Sequence, residues 1–208
     1  MAVLSDRGIL EAIENKRFSI EPKLNLNRLQ PSSIDLTLHH TIKVFSGSEP
    51  LRADISKDEL QKRMLEMNIS DGYMLQPGCM VAAFSAEKIT LSPYLCGMLL
   101  NRNSLAMFGI DATLSAYANP GYSGRKSIVI RNGGPAPVVL EPGMSICQLV
   151  LCELGSPSVR TYQNRHDVDM LREFVKNKHS FETEAPKIGR RTFAEFFNEQ
   201  LALISGRS

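Results

Sequence analysis

From Leu91 to Val150 the chain alternates short apolar runs with clusters of turn-forming residues. The runs are Ile128-Val129-Ile130, Val138-Val139-Leu140 and the stretch from Ile146 to Leu151. Between them lie Asn119-Pro-Gly-Tyr-Ser-Gly124, Asn132-Gly-Gly134 and Glu141-Pro-Gly-Met144. The runs have strand length, and Gly and Pro supply the φ values of tight turns, so the spacing predicts a β-meander. Upstream, Ile34, Leu36 and Leu38 alternate with Ser33, Asp35 and Thr37, the pattern of a half-buried strand. It turns Asp35 away from the apolar face, where Asp35 and Ser33 are expected to bond local backbone groups. Residues 18–20 and 42–45 also read as strand. Residues 80–84, 88–91 and 95–100 read as further short strands separated by turns. The sum is an all-β barrel or double-sheet jelly roll with a few short helices.

Helical spacing is confined to four places. Residues 4–15 carry Ile9, Leu10 and Ile13 on one stripe, with Ser5 placed to cap it. Residues 57–67 present Leu60, Met64 and Met67 within a polar stretch, 50–71, that reads as a surface insertion. After Gly155-Ser-Pro157 the character changes, which predicts a β domain over 1–154 and a helical tail over 155–208. In that tail, 167–176 sets Met170, Leu171, Phe174 and Val175 on one face. Residues 192–205 begin with a capping box, Thr192 to Glu195, and line up Phe193, Phe196, Phe197, Leu201 and Ile204. The polar face of this last helix mixes Glu195, Asn198, Glu199 and Arg207 instead of being lysine-rich. It is therefore expected to cover protein, its own barrel, a neighbouring subunit or another partner, and not a membrane.

Composition narrows the function classes. The 208 residues carry a net charge of +2, with 43% hydrophobic and 22% charged positions. That is ordinary for a globular chain and leaves no basic footprint for nucleic acid. No apolar run reaches the ~20 residues of a membrane helix, and the N-terminus lacks the build of a signal peptide, so a cytoplasmic location is expected. The four cysteines (Cys79, Cys96, Cys147, Cys152) form no Cys-x-x-Cys pair and lie in or beside apolar runs. Buried, reduced thiols are expected, with Cys147 and Cys152 on opposite faces of one strand. Neither these nor the four histidines show metal-ligand spacing. A helical turn at Ser104–Phe108 would aim backbone N–H groups at an anion, with Arg102 adding charge.

Several motifs standing in register resemble the dCTP deaminase and dUTPase superfamily, the deaminase branch in particular. They are Leu4-Ser-Asp-Arg-Gly-Ile9, Gln30-Pro-Ser-Ser-Ile-Asp-Leu36, Leu75-Gln-Pro-Gly78, Arg102-Asn-Ser-Leu-Ala106 with Gly109, Pro120-Gly-Tyr-Ser-Gly124, Asn132-Gly-Gly134 and Pro142-Gly-Met144. The resemblance covers residues 4–162. It implies a dUTPase-like β-barrel in a homotrimer, with active sites between subunits and a C-terminal tail that closes over bound nucleotide. It also implies nucleotide or phosphate contacts from Arg102, Asn103, Ser104, Asn119, Tyr122 and Gln148. Any Mg²⁺ would arrive with a bound triphosphate, and no other cofactor is implied.

The resemblance fails at the proton carriers. The deaminase glutamate falls on Val129 here, and the dUTPase aspartate falls on Asn119. Valine carries no proton, and an amide is no base at neutral pH. The motif that usually reads Arg-Ser-Ser-Leu-Ala-Arg has Asn103 and Met107 at its second and last positions. The tail also departs from the family's nucleotide-closing pattern. Three readings follow. The first is a dCTP deaminase-like nucleotide-binding protein that is inactive or repurposed for sensing, sequestration or regulation. The second is an active pyrimidine deoxynucleotide triphosphate hydrolase, a dCTP deaminase or dUTP diphosphatase, with another carboxylate. Asp111 is then the better candidate, ahead of Glu141 on its solvated turn. The third is a trimeric structural protein without ligand.

Overall fold

The alternation at residues 33–38 produces the strand on which both halves of the sheet are built. In the computed structural model the described residues are 2–179, less positions 48, 53 and 115 and the side chains of 57 and 176–179. The expected helix at 192–205 lies outside them. In chain order the strands are β1 (Ala2–Val3), β2 (Phe18–Glu21), β3 (Leu29–Gln30), β4 (Ser33–Phe45), β5 (Met64–Asn68), β6 (Tyr73–Leu75) and β7 (Met80–Leu91). They continue with β8 (Leu95–Asn101), β9 (Ile110–Asp111), β10 (Tyr117–Ala118), β11 (Ser123–Asn132), β12 (Val138–Leu140) and β13 (Ser145–Glu153). The α-helices are α1 (Asp6–Glu14), α2 (Lys57–Lys62), α3 (Asn103–Ala106) and α4 (Val168–His179).

Among the described residues an 11-stranded sheet runs β10-β8-β13-β4-β7-β11-β9, with β1 on β13, β2 on β7, and β3 and β5 on β4; β6 and β12 form a separate ribbon. Every pairing is antiparallel. β4 is the hinge of the sheet. Its first half pairs with β13, through Leu36 opposite Cys147 and Ile34 opposite Leu149. Its second half pairs with β7 and β5, after a register shift between Leu38 and Ile42. Ile34, Leu36, Leu38 and Ile42 thereby enter one core with Phe18, Ile89, Ile128, Ile130, Leu149 and Leu151. Each such side chain contributes ~1.5–3 kcal/mol by leaving water. The all-β expectation is met, but the β-meander expected over 91–150 is not, since β11 pairs with β7, β12 with β6, and β13 with β4 and β8.

Local expectations fare unevenly. Ser5 caps α1 through Gly8 N–H, at 3.3 Å. Ile9 is fully buried and Ile13 packs on the core, but Leu10 stays 43% exposed and Ala12 takes the inner position. Residues 80–91 are one strand and not two, because Val81, Ala83, Ser85, Glu87, Ile89 and Leu91 keep a single buried alternation. The helix expected over 57–67 stops at Lys62. Met64–Asn68 instead pairs with Thr41–Phe45, where Glu66 faces Lys43 at 3.6 Å. The second half of the supposed insertion is therefore part of the sheet, since an available strand edge outweighs a weak helical stripe.

Contacts divide the chain into two compact units, 1–165 and 166–208. Residues 155–165 fold back within the first. Ser158 N–H donates to Pro93 O at 2.9 Å, and Tyr162 N–H to Pro120 O at 2.8 Å. In the second unit α4 starts at Val168, with the Asp167 carboxylate accepting from the N–H groups of Asp169 and Met170 at 3.1 and 3.3 Å.

Gly121 is required where residues 155–165 return. Its φ is +72°, and a Cβ there would lie 2.4 Å from Thr161 Cβ. Gly121→Ala is expected to cost about 2 kcal/mol and to speed proteolysis within 155–165. Limited proteolysis with mass mapping checks this.

The cysteines split. Cys96, Cys147 and Cys152 are buried, whereas Cys79 is exposed, which corrects the expectation for that residue. It follows Gly78 in the turn before β7, ahead of the strand's buried alternation. Cys147 faces Leu36 in the core, while Cys152 stands opposite Cys96 on the other face, as their spacing predicted. Burial, then the charges of Glu87 and Asp35, pushes the Cys147 thiol up to about 12. Because the thiolate is the reactive form, a thiol reagent at pH 8 is expected to modify Cys79 rapidly and the other three only after denaturation.

Candidate functional site

Arg102 follows β8 and leads into α3, where sequence placed a phosphate contact. Its guanidinium is engaged within the protein. Nη2 lies 3.3 Å from Asp35 Oδ2, and Nη1 donates to Ser145 O at 3.2 Å. Gln148 stands opposite Asp35 across the β13–β4 pair and donates from Nε2 to Asp35 Oδ1 at 3.3 Å. Two of the expected nucleotide contacts thus converge on one carboxylate, itself only 6% exposed. Asp35 does point away from the apolar face, as its alternation required. Its side-chain partners, however, are Arg102 and Gln148, and not the local backbone. Asn103 and Ser104 are exposed on α3, a single turn for which Arg102 supplies no side-chain cap.

Sequence reasoning missed a second buried acid. Glu87 occupies an inner position of β7 and is 5% exposed. Its Oε1 accepts from Thr37 Oγ1 at 2.6 Å and Arg28 Nη1 at 3.0 Å, and its Oε2 from Thr37 N–H at 2.9 Å. The signal was a glutamate in the buried phase of an alternating strand, just upstream of the block that drew attention. Lys126 was missed too. It is 5% exposed, sits at the bulge between Arg125 and Ser127, and carries its ammonium 5.7 Å from the Tyr122 ring centroid. Burial lowers its pKa.

Val129 lies on the outer face of β11. Directly opposite is Ala82 of β7, and beyond that Lys43 of β4. Ser127 and Arg131 flank it on the same face. Asp111 of β9 pairs with Arg131, which places it diagonally from Val129, at roughly the 7–8 Å of such neighbours. The structure therefore brings Asp111 and the valine to one sheet face, which spacing alone did not establish. The Asp111 carboxylate is already bonded, accepting from Thr113 N–H at 2.7 Å and Thr113 Oγ1 at 2.6 Å. Glu141 is exposed on its turn.

The Thr113 hydroxyl, then its N–H, holds the Asp111 pKa below the ordinary 3.8, with burial opposing and Arg131 assisting. A depressed carboxyl stabilises the fold above its unfolded pKa, and that contribution is lost as pH falls through the folded value. Thr113→Val is expected to raise the Asp111 midpoint toward 3.8. The stability gap between wild type and variant should be present at neutral pH and shrink once Asp111 is protonated. Carboxyl ¹³C titration and acid unfolding read both.

Asn119 and Tyr122 share one turn, closed by Tyr122 N–H to Asn119 O at 3.0 Å. The Tyr122 ring meets Tyr162 at 5.1 Å between centroids and 59° between planes. Asn132, invoked only as a register mark, is fully buried and bonds Leu75 O, Ala136 O and Gly134 N–H. Among the described residues no three His, Cys, Asp or Glu side chains are grouped to hold a metal ion, and no helix is long and apolar enough to cross a membrane. Asp35 and Glu87 are each committed to neighbouring side chains, so a divalent ion would depend on ligand oxygens.

A family model described as dCTP deaminase-like matches residues 3–154. A dUMP-forming dCTP deaminase of Corynebacterium glutamicum (strain R) is 33% identical over 163 residues, covering 77% of this chain and 85% of that protein. A protein of the same name from Persephonella marina is 29% identical over 165 residues, covering 79% and 91%. The crystal structure of 2′-deoxycytidine 5′-triphosphate deaminase from Agrobacterium tumefaciens aligns with a TM-score of 0.59 and 20% identity. That match covers 82% of this chain and only 52% of the longer one, and it shows a common fold. With the motifs in register and the family model matching residues 3–154, the chain belongs to the dCTP deaminase-like family.

Proposed function

We propose that this protein binds a pyrimidine deoxynucleoside triphosphate in a homotrimer, and that it does not deaminate it by the route its relatives' names imply. One observation carries this reading: Val129, which the resemblance sets at the position of the family's proton-carrying glutamate, has Ala82 and then Lys43 as its direct neighbours across the sheet. Loss of a positioned proton carrier forfeits a factor of ~10²–10⁴. Exposed Asn103 and Ser104 remain free to meet phosphate oxygens, and Arg102 can do so by exchanging Asp35 for the ligand. Sensing, sequestration or regulation suits such a protein. The segment 192–205, outside the described residues, is the one we assign to a protein partner from its sequence pattern. A cytoplasmic location fits these roles.

A second reading is favoured by Asp111, which shares the face of Val129. It makes the protein an active hydrolase with Asp111 as the base. Its depressed pKa keeps it ionised and therefore only a weak base, and deamination needs a group that both takes and gives a proton.

Incubation with dCTP or dUTP and Mg²⁺, followed by product chromatography and thermal shift, separates the readings. The expected result is a raised melting temperature without dUTP or dUMP formation, and a smaller rise in Ser104→Glu, whose exposed charge repels phosphate. Turnover that disappears in Asp111→Asn establishes the second reading. Arg102→Ala is a poor probe of binding, because it also leaves Asp35 without its cation.

A further inference from the structure

Cys96 of β8 and Cys152 of β13 stand directly opposite each other in the sheet. With Val150 they form a small buried cluster separate from the main core, against which Met98 and Leu154 pack. The two thiols interact with each other, and the Tyr117 hydroxyl interacts with Cys96. Their cover is thin. Val3 of β1 lies opposite Cys152, and Tyr117 of β10 lies opposite Met98, two residues from Cys96 on the same face. Both β1 and β10 are two-residue strands, and Val3 and Tyr117 are themselves exposed. Short strands with few buried contacts open locally at low free-energy cost.

We infer that Cys96 and Cys152 are a site of reversible oxidation, closed to a disulfide by hydrogen peroxide. One thiolate attacks a peroxide oxygen, breaks the O–O bond and becomes a sulfenic acid, with water leaving. The second thiol attacks the sulfenic sulfur, forms the S–S bond and releases another water. Two thiols thus give up two electrons and two protons, and H₂O₂ becomes two H₂O. Peroxide is smaller than an alkylating reagent and needs less opening to enter. The bond so formed is labile. Leu154 N–H donates to Tyr94 O at 2.9 Å, so Cys152 and Cys96, two residues along each strand, are also a hydrogen-bonded pair. The Cα atoms of such a pair are ~5.5 Å apart, within the span of a disulfide, but its Cβ atoms lie beyond the ~3.8 Å mean of disulfides. Closure draws the two strands together, and a strained disulfide is readily reduced. It ties β8 to β13, the strands that bring Arg102 and Gln148 to Asp35.

Treatment of the folded full-length protein with hydrogen peroxide tests this. After quenching with catalase, free thiols are alkylated in denaturant and the peptides are mapped by mass. The expected product has lost two hydrogen masses, links Cys96 to Cys152 and leaves Cys147 free. Excess reduced glutathione should return both thiols. Cys79→Ser removes the exposed thiol and should leave formation of the bond unchanged. The proposal is overturned if the two thiols stay free in the folded protein and link only in urea. It is equally overturned if they reach sulfinic acid without linking, or if glutathione does not restore them. The wild type alone decides these outcomes, so no cysteine variant has to fold. Nucleotide binding is not assumed, and its failure shows separately, as no thermal shift with dCTP.

Discussion

Glu87→Ala is expected to lower the melting temperature by about 10 °C, the largest stability effect of any single substitution considered. The carboxylate is 5% exposed and serves three donors at once. Removing it leaves the buried Thr37 N–H and hydroxyl without an acceptor and Arg28 without its counter-charge. Leaving the two buried Thr37 donors unpaired costs ~1–3 kcal/mol each, and each kcal/mol moves the midpoint of a chain this size by about 2–4 °C. Glu87→Gln keeps the shape and one acceptor, so its loss should be smaller. Arg28→Ala in the Glu87→Ala background should add little, because the pair is already gone. Urea unfolding of the four proteins in this cycle measures the coupling. A loss under 1 kcal/mol in Glu87→Ala would show that water replaces the carboxylate at no cost.

Val129→Glu is expected to bring dCTP deamination to at least ~10²-fold above the wild-type rate, the lower end of what a positioned proton carrier supplies. The site can accept the charge. Val129 is half-buried on an outer face, Arg131 is its neighbour on the same strand face, and Lys43 lies one strand beyond Ala82. Both cations favour an ionised glutamate, although Lys43 already faces Glu66 and Asp111 on the same face opposes it. Val129→Gln matches the size without the proton and should leave the rate unchanged. The measurement is dUTP or dUMP formed per mole of protein, by chromatography. If the wild type already turns over dCTP and Val129→Glu does not improve it, the valine is no lesion and Asp111 becomes the residue to pursue.

Much of the frame was legible because period-2 alternation is a local property. Ile34, Leu36 and Leu38 face the core and Asp35 faces away, as their spacing required. The glycines of the turn clusters also announced themselves. Gly109, at φ +79°, lies so close to Gly134 that a Cβ would come within 2.4 Å of its nitrogen, a contact only these two residues allow. What failed locally failed for tertiary reasons. Residues 64–68 carry a plausible helical stripe, yet an open edge of β4 takes them as a strand.

The site divides the same way. The resemblance sets Val129 and Asn119 at the family's proton-handling positions, because a motif in register is a statement about order and count. It cannot say which acids lie near them. That Asp111 shares a sheet face with Val129 follows from the pairing of β9 with β11. That Arg102 and Gln148 meet on Asp35 follows from β13 lying between β8 and β4. Asp35 and Gln148 are 113 residues apart in the chain. Residue order and hydrophobic period determined most of the longer strands and the turns between them. Which polar groups face one another was decided only by long-range strand pairing, because hydrogen-bond geometry acts over about 3 Å and no sequence pattern carries a distance between remote residues.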